Sequence, residues 1–391
     1  MINLLLPSLF LSTSTFAHGG VDFFDEIGEE ISTGIGGGWA RVFPHSSGEG
    51  WNFLWAAGGG YSLLPMTDDL VVEDFGRVEL TGADYLVDHA ITPCPSGGFL
   101  HVASANLEEF NDSAYSFRYD DDFGLLSSQP IEERVSTRKH NDLPVVCSPG
   151  FNGTAFGMPQ AGDTHIIELD QNGAQISEHP VTGINTEGGT LLVEPETGDL
   201  LVFGMGHSGS DLKISRLNGD LNVTDTMLIT LLDSNLRAYW PASVLRVGDH
   251  YIVSFMARDD SAGFGSDFGN VWLAVLNFEL ELEHVERLSN YEPPNGAMRP
   301  GLARKGSQLL VTVDREVEPR IFPIELNSVA FGFDLDGDTG GLWDTGTGST
   351  GGTDDTGGDS DSDGCGCSTG SFDLNYLWMS LLPLVVIRRR A

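Results

Sequence analysis

Ten side chains in this sequence are candidates for ligand binding or acid–base chemistry. Imidazoles can ligate metals or transfer protons near neutral pH, and carboxylates can act as their partners. Arginines bind anions, and aromatic rings stack on flat ligands. The candidates are Asp88, His89, His140, Asp142, His207, Tyr239, Trp240, Arg258, Arg299 and Arg315. Since polar residues also occupy loop rims that bind nothing, and since Asp314-Arg315 fits a local ion pair, these side chains select no reaction by themselves.

Several catalytic signatures are missing from the sequence. It contains no GxSxG nucleophile elbow, no HExxH zinc motif, no sialidase Asp-box and no WD or kelch pattern. This weakens any specific enzyme assignment without excluding one, because a fold does not determine its function.

The candidates must be positioned by a repeat of strand-like runs. Six similar apolar runs begin at residues 61, 115, 165, 212, 272 and 320, at intervals of 54, 50, 47, 60 and 48 residues. A period near 50 is typical of four-stranded propeller blades. Each of these runs is preceded by a more apolar one, such as Trp51–Trp55 or Leu309–Val313, as expected of strands covered on both faces. Before that stands a run rich in Gly, Ala and Pro, such as Ala40–Phe43, which suits the crowded axis of a ring.

The number of fourth runs predicts how the ring is closed. Five units have a fourth run, at 72–81, 128–137, 173–182, 222–231 and 281–290, and the sixth has none. A similar segment, Phe24–Thr33, stands near the N-terminus. We predict an all-β, six-bladed β-propeller of four-stranded blades over residues 21–333, closed by this N-terminal strand, which joins the first and last blades and removes an exposed sheet edge. The alternatives are a ring of five or seven blades, or a β-sandwich, which fits the period poorly.

This topology predicts where a site would lie. In a propeller, the connections that enter the first strand share one face, here called the upper face, with those between the second and third strands. The ten candidates fall on these connections. Cys94 and Cys147 end the first runs of neighbouring units, so we expect either a disulfide between blades, if the Cα atoms come within about 7 Å, or two buried thiols.

The charge of the chain excludes one class of partner. It has 57 acidic and 20 basic side chains, a net charge of −37. Nucleic acid binding is disfavoured, because basic residues must neutralise phosphates. The balance suits a soluble protein and divalent cations. No cofactor is indicated except Ca²⁺, for which Asp334, Asp336 and Asp338 have the spacing of a calcium loop, although Thr345 replaces its final Glu.

Both ends of the chain indicate export. Residues 1–17 have the apolar run and the small-residue cleavage site of a signal peptide. Residues 334–364 are rich in Asp, Gly, Thr and Ser, and they predict an extended acidic linker. Residues 365–391 combine Cys365 and Cys367 with the apolar stretch Leu374–Ile387 and a terminal Arg cluster.

This three-part tail resembles the MYXO-CTERM sorting signal of myxobacteria and their relatives. The resemblance implies a short transmembrane segment, cleavage by a dedicated sorting protease, and display on the cell surface through the outer membrane. It also implies that Cys365 or Cys367 is the lipid attachment point. The alternative is a plain C-terminal membrane anchor that is never cleaved.

Three functions are compatible with these features. The first is a surface-anchored propeller that binds a glycan, peptide or protein on its upper face. The second is a secreted hydrolase or lyase that acts on an extracellular polymer, with acid and base drawn from Asp88, His89, His140, Asp142 and His207. The third is a structural envelope protein without a small ligand.

Overall fold

The structure, a computed structural model, describes most of the predicted ring. The described residues are 22–45, 48–57, 60–73, 78–80, 86–106, 112–131, 144–158, 163–182, 189–205, 211–232, 236–259, 268–315 and 318–332. All of them belong to the first of two compact units, Met1–Thr347. The second unit, Gly348–Ala391, lies outside the described residues. Within them, no helix is long and apolar enough to cross a membrane.

The described chain forms six antiparallel sheets, and the prediction of six four-stranded blades is confirmed. The strands are β1 (Phe24–Ile27), β2 (Ile31–Ser32), β3 (Gly38–Pro44), β4 (Trp51–Ala57), β5 (Gly60–Met66), β6 (Val78–Leu80), β7 (Leu86–Pro93), β8 (Phe99–Asn106), β9 (Asp112–Tyr119), β10 (Leu125–Ile131), β11 (Val145–Ser148), β12 (Phe151–Met158) and β13 (Asp163–Leu169). They continue as β14 (Gln175–Thr182), β15 (Thr190–Val193), β16 (Leu200–Met205), β17 (Asp211–Leu217), β18 (Val223–Thr230), β19 (Arg237–Val247), β20 (His250–Arg258), β21 (Asn270–Asn277), β22 (Leu282–Arg287), β23 (Ala297–Lys305), β24 (Gln308–Arg315) and β25 (Glu318–Leu326). One helical turn, α1 (Ser328–Phe331), follows.

Blades 1 to 5 each use four consecutive strands, beginning at β3, and blade 6 combines both ends of the domain. Its order is β1-β25-β24-β23, with β2 also paired to β25. Phe24 pairs with Leu326, and Ile31 pairs with Ile321. The N-terminal segment therefore completes the last blade, as predicted.

The closing segment differs from the prediction in being two short strands. Gly28 lies between them and donates its N–H to the carbonyl of Pro323 at 2.8 Å. A Cβ at position 28 would lie 2.7 Å from Pro323 Cγ, so only glycine fits this close approach. Because proline has no N–H, β25 offers no donor at this point, and the ladder is interrupted.

The core consists of layers between neighbouring blades. Side chains of a strand point alternately to its two faces, so β20 sends Ile252 toward blade 6 and Val253 toward blade 4. Both are fully buried. The second strand of a blade is therefore apolar at successive positions, which explains the continuous apolar runs in the sequence.

A five-residue turn recurs on the lower face, where the third and fourth strands of each blade meet. It spans 67–71, 120–124, 170–174, 218–222 and 277–281, and in each case the fourth residue donates its N–H to the carbonyl of the first. That fourth residue has positive φ in every copy: Leu70, Phe123, Gly173, Leu221 and Leu280. Three of the five copies contain a glycine, but only in the copy at 170–174 does glycine occupy the fourth position. In the other copies a Leu or Phe accepts the strained backbone while its side chain is largely buried.

Cys94 and Cys147 are joined by a disulfide between blades 2 and 3. Their Cα atoms are 5.1 Å apart, inside the range that a disulfide allows. The bond closes a loop across 53 residues. Cross-links of this kind stabilise exported proteins by restricting the unfolded chain.

Candidate functional site: the upper rim of blades 5, 6 and 1

Four of the six inner strands carry a β-bulge at their upper end. The register shifts occur between Gly38 and Arg41, Leu86 and His89, Tyr239 and Ser243, and Met298 and Gly301. Bulges turn side chains out of the regular alternation, and they are frequent beside binding sites. The bulged positions include the predicted candidates Asp88, Trp240 and Arg299. The ring thus places three candidates at equivalent positions around its axis.

Arg299 lies in the bulge of blade 6 with a strained backbone. Its φ is 53°, although a residue before proline favours extended conformations. Its guanidinium group pairs with Asp314 Oδ2 at 3.4 Å, and both side chains are buried. Asp314 Oδ1 also accepts the backbone N–H of Ala40 at 3.3 Å. Strain of this kind persists only where the surroundings hold it, and it is concentrated at functional sites.

Arg41, in blade 1, extends this cluster toward the axis. Its Nη1 donates to the carbonyls of Ala40 at 2.9 Å and Arg299 at 3.4 Å. The side chain lies over Gly301, where an added Cβ would be 3.1 Å from Arg41 Cδ. Gly301 therefore provides the space that the arginine occupies between two inner strands.

Arg315 was predicted to bind a ligand, and the structure places it beside the closing strand. Its Nη1 is 2.9 Å from Glu30 Oε1, and its guanidinium group lies 4.6 Å from the ring centre of Tyr291. Tyr291 donates its hydroxyl to Glu30 Oε2 at 2.9 Å. Burial and the neighbouring Glu30 carboxylate raise the pKa of Tyr291, so this hydroxyl stays protonated as a donor. One side of Arg315 is thus held by protein groups.

Two further arginines stand at the upper end of blade 5. Arg237 begins β19 and pairs in register with Arg258, the last residue of β20. Arg237 is exposed and Arg258 is partly exposed. We call the group Arg41, Arg237, Arg258, Arg299 and Arg315 the arginine sector. In a chain with 57 acidic and 20 basic side chains, these five arginines lie on three adjacent blades at one face.

His89 lies in a different environment, between blades 1 and 2. It is 1% exposed, and its ring centre is 3.8 Å from that of Tyr61. The imidazole of His101 lies 5.6 Å from it, edge to face. The described structure therefore places His89 inside the blade interface, out of reach of a polymer on the rim.

His101 is buried, and neither of its ring nitrogens has a hydrogen-bond partner in the structure. Burial lowers its pKa to about 3, because the charged imidazolium loses its hydration. His101 is therefore neutral at every physiological pH. His101 lies within the apolar second run of its unit, and an apolar pattern does not single out one buried histidine.

A second buried charge network joins blades 4 and 5 on the lower face. Glu194 is 1% exposed and forms an ion pair with Arg216, while its Oε1 accepts the hydroxyl of Tyr251 at 3.2 Å. Thr197 Oγ1 donates to Glu194 Oε2 at 3.0 Å. Every oxygen of this carboxylate is hydrogen-bonded within the protein, which indicates a structural cross-link rather than a binding site.

The remaining predictions fall where side chains are not described. Asp88 lies in β7, and Tyr239 and Trp240 lie in β19, each with only the backbone described. The residues outside the described ranges are His140, Asp142, His207, Asp334, Asp336, Asp338, Cys365 and Cys367, together with residues 1–17. Among the described residues, no group of three or more His, Cys, Asp or Glu side chains could hold a metal ion.

The fold and the rim together define the class of protein, a six-bladed β-propeller with bulged inner strands. No family model matches the chain, and no curated protein matches it in sequence. Hydrazine synthase of Kuenenia stuttgartiensis is similar with a TM-score of 0.46 and 12% identity, over 72% of this chain and 78% of that one. The GH74 xyloglucanase of Xanthomonas campestris has a TM-score of 0.43 and 15% identity, over 74% and 45%. A Bacteroides caccae protein of unknown function has a TM-score of 0.41 and 11% identity, over 63% and 80%. At these identities no substrate or activity carries over to this chain.

Proposed function

We propose that this protein is an exported, surface-anchored binding propeller that recognises an extracellular glycan, peptide or protein on its upper face. The observation that carries the proposal is the arginine sector beside bulged inner strands. Strained Arg299 and buried Asp314 fix the floor of this region. The partly exposed Arg258 and exposed Arg237 stand at its border.

The sector supports binding through the chemistry of guanidinium groups. A guanidinium presents several N–H donors in one plane, which suits carboxylate, sulfate and hydroxyl oxygens. The floor is rigid because Asp314 connects the inner strands of blades 6 and 1. A rigid scaffold that presents donors loses little conformational entropy on binding.

The described part of the rim favours binding over hydrolysis. Asp314, its buried carboxylate, is committed to Arg299 and Ala40. A hydrolase or lyase needs an acid and a base that converge on one bond. His89, named for that role, faces the interior of the blade 1–2 interface.

The proposed location is supported by the two ends of the chain. The signal peptide at 1–17 would direct export, and the acidic linker at 334–364 would hold the ring away from the envelope. The tail at 365–391 would be the substrate of the sorting protease and the point of attachment to the outer membrane. This part of the proposal depends on the sequence resemblance given above.

The test is a glycan and peptide array probed with the full-length protein and two variants. Arg258→Ala removes a partly exposed guanidinium of the sector, and Lys305→Ala removes a cation that pairs with Asp68 on the lower face. We expect Arg258→Ala to weaken the selected interaction about tenfold, equivalent to about 1.4 kcal/mol, and Lys305→Ala to leave it unchanged. Equal loss in both variants would show that the upper face is not the site. Turnover of an array glycan would instead identify the enzyme alternative.

A further inference from the structure

Among the described strands, the outer strand of each blade pairs with a single neighbour and so has a free edge. Natural proteins usually protect such edges from pairing with other chains. Five of the six described outer strands have a recognised protective feature. Strand β6 is only three residues long, β10 contains Pro130, and β14 contains Pro180. Strand β22 carries Glu283, Glu286 and Arg287, and β1 is short and carries Asp25 and Glu26.

Strand β18 of blade 4 is the exception among the described outer strands. It runs for eight residues, VTDTMLIT, with no proline and one charged residue, Asp225. Five of its eight residues are Val, Ile or Thr, which favour strands. Val223 is 42% exposed and Leu228 is 67% exposed. A long edge with a single charge and exposed apolar side chains is the kind that accepts an added strand.

The backbone of β18 shows which of its groups face outward. The N–H of Thr226 donates to the side chain of its neighbour Asp225 at 2.7 Å rather than to β17. Since the N–H and C=O groups of successive residues point to opposite sides of a strand, those of Thr226, Leu228 and Thr230 face the open edge. The alternation does not extend to Thr224, because the register shifts between Val223 and Asp225. Side-chain contacts agree, because Thr226 and Thr230 lie opposite Ser215 and Asp211 with hydroxyl contacts of 3.1 and 2.7 Å. In an antiparallel sheet, side chains approach most closely at residue pairs that exchange no backbone hydrogen bonds. Thr226 and Thr230 therefore belong to pairs of this kind.

The charged residues around this edge indicate which kind of partner would bind there. Asp211 and Asp225 lie along the strand pair, and Asp220 lies in the adjoining turn. The cation Arg216 lies opposite Asp225 but is already paired with Glu194 and Asp199. The other basic residue of β17, Lys213, lies opposite Leu228. A second copy of this chain would bring another −37 charges and the same carboxylates to the interface. A strand with a basic residue is the complementary partner.

We propose that β18 is a docking edge for strand addition by an extended, cationic segment of a partner protein. The added strand would bond to the outward groups of Thr226, Leu228 and Thr230. It would place Lys or Arg opposite Asp225 and an apolar residue opposite Leu228. These positions are three apart, so an antiparallel segment would read apolar-x-x-basic. This site is separate from the upper rim, and it stands whether or not the rim binds a ligand.

The test uses the full-length protein and the peptide acetyl-TTVTTKTT-amide, with a Lys-to-Glu peptide as the control. We expect saturable binding of the Lys peptide, weakened by salt because part of the attraction is electrostatic. Amide hydrogen exchange should slow at Thr226, Leu228 and Thr230 and stay unchanged at Met227 and Ile229 between them, which already bond to β17. This alternation is specific to strand addition.

Two matched variants locate the edge. Leu228→Lys should weaken binding at least about tenfold, because it removes the exposed apolar contact and adds a like charge. Ile176→Lys makes the same change at a 60% exposed residue of β14, beside Pro180, and should have no effect. Equal binding of the Glu peptide, unchanged exchange at the three amides, or equal effects of both variants would overturn the proposal. Self-association through β18 without peptide protection would also overturn it, since the occupant would then be a second copy.

Discussion

The wild-type protein should lose stability at acid pH because of His101, and replacing His101 with leucine should abolish this loss. The imidazole is buried, its nitrogens have no hydrogen-bond partner, and its pKa is lowered to about 3. The unfolded chain binds a proton at this histidine below pH 6.5, whereas the folded protein does not. Stability therefore falls as the pH decreases from about 6.5 toward 3. The groups that face His101 are Tyr61 on β5, His89 on β7, and Phe117 and Tyr119 on β9.

The size of the effect follows from the shift in pKa. A full pH unit corresponds to about 1.4 kcal/mol, and the unfolded histidine is only half protonated at pH 6.5, so between pH 6.5 and 4.5 the His101 contribution falls by about 2.3 kcal/mol. His101→Leu abolishes this contribution. It also removes two buried polar nitrogens, which should stabilise the protein at pH 7 by about 1–3 kcal/mol. The two curves of stability against pH should thus diverge on the acid side.

The assay is urea unfolding at half-unit steps from pH 7 to 4.5, with the disulfide intact. His179→Leu is the control, because His179 is partly exposed on β14 and contacts Ser177 Oγ at 3.0 Å. A change in the pH dependence that is found in His101→Leu and not in the control would assign it to the buried imidazole. If the wild-type and His101→Leu curves remain parallel from pH 6.5 to 4.5, the folded protein binds the proton after all, and the reasoning from burial fails.

Two further predictions concern the ends of the chain. Gly28→Ala should destabilise the ring by about 1–3 kcal/mol, because its Cβ would lie 2.7 Å from Pro323 Cγ; thermal unfolding would measure this. Gly219→Ala, where no atom lies within 4 Å, should change little, and equal melting temperatures for all three proteins would contradict the close approach. Replacing Cys365 and Cys367 together with Ser should abolish lipid labelling and release the protein from the cell surface. If the double variant keeps both its lipid label and its attachment to the cell surface, the sorting proposal is refuted.

The sequence predicted the strands and their count because each blade repeats one burial pattern. Successive apolar residues marked the second strand of each blade, and the unmatched segment Phe24–Thr33 marked the closing strand. The interruption at Gly28 was not predictable, because it depends on Pro323, almost 300 residues away in the chain. The turns with Leu70, Phe123 and Leu280 at positive φ were missed because burial of the side chain overrides the preference for glycine.

The candidate site was predicted only in outline. Topology placed Arg258, Arg299 and Arg315 at one end of the blades, which the strand register supports. It could not show that Arg299 pairs with Asp314, or that Arg315 is held by Glu30, since these contacts join distant segments. Arg41 was overlooked, although it occupies in blade 1 the position after the bulge that His89 occupies in blade 2. An alignment of the six inner strands would have revealed it.

Closure of blade 6 by both chain ends has a consequence for the order of folding. The pairing of Phe24 with Leu326 closes a loop of roughly 300 residues, at an entropic cost of about 5 kcal/mol. Blades 1 to 5 contain only consecutive strands, so each can assemble as the chain emerges. The N-terminal strands must wait, unpaired, until β25 has been made. A chain truncated before Glu318 would therefore expose the apolar residues of two incomplete edges, and cellular proteases would recognise it as unfinished.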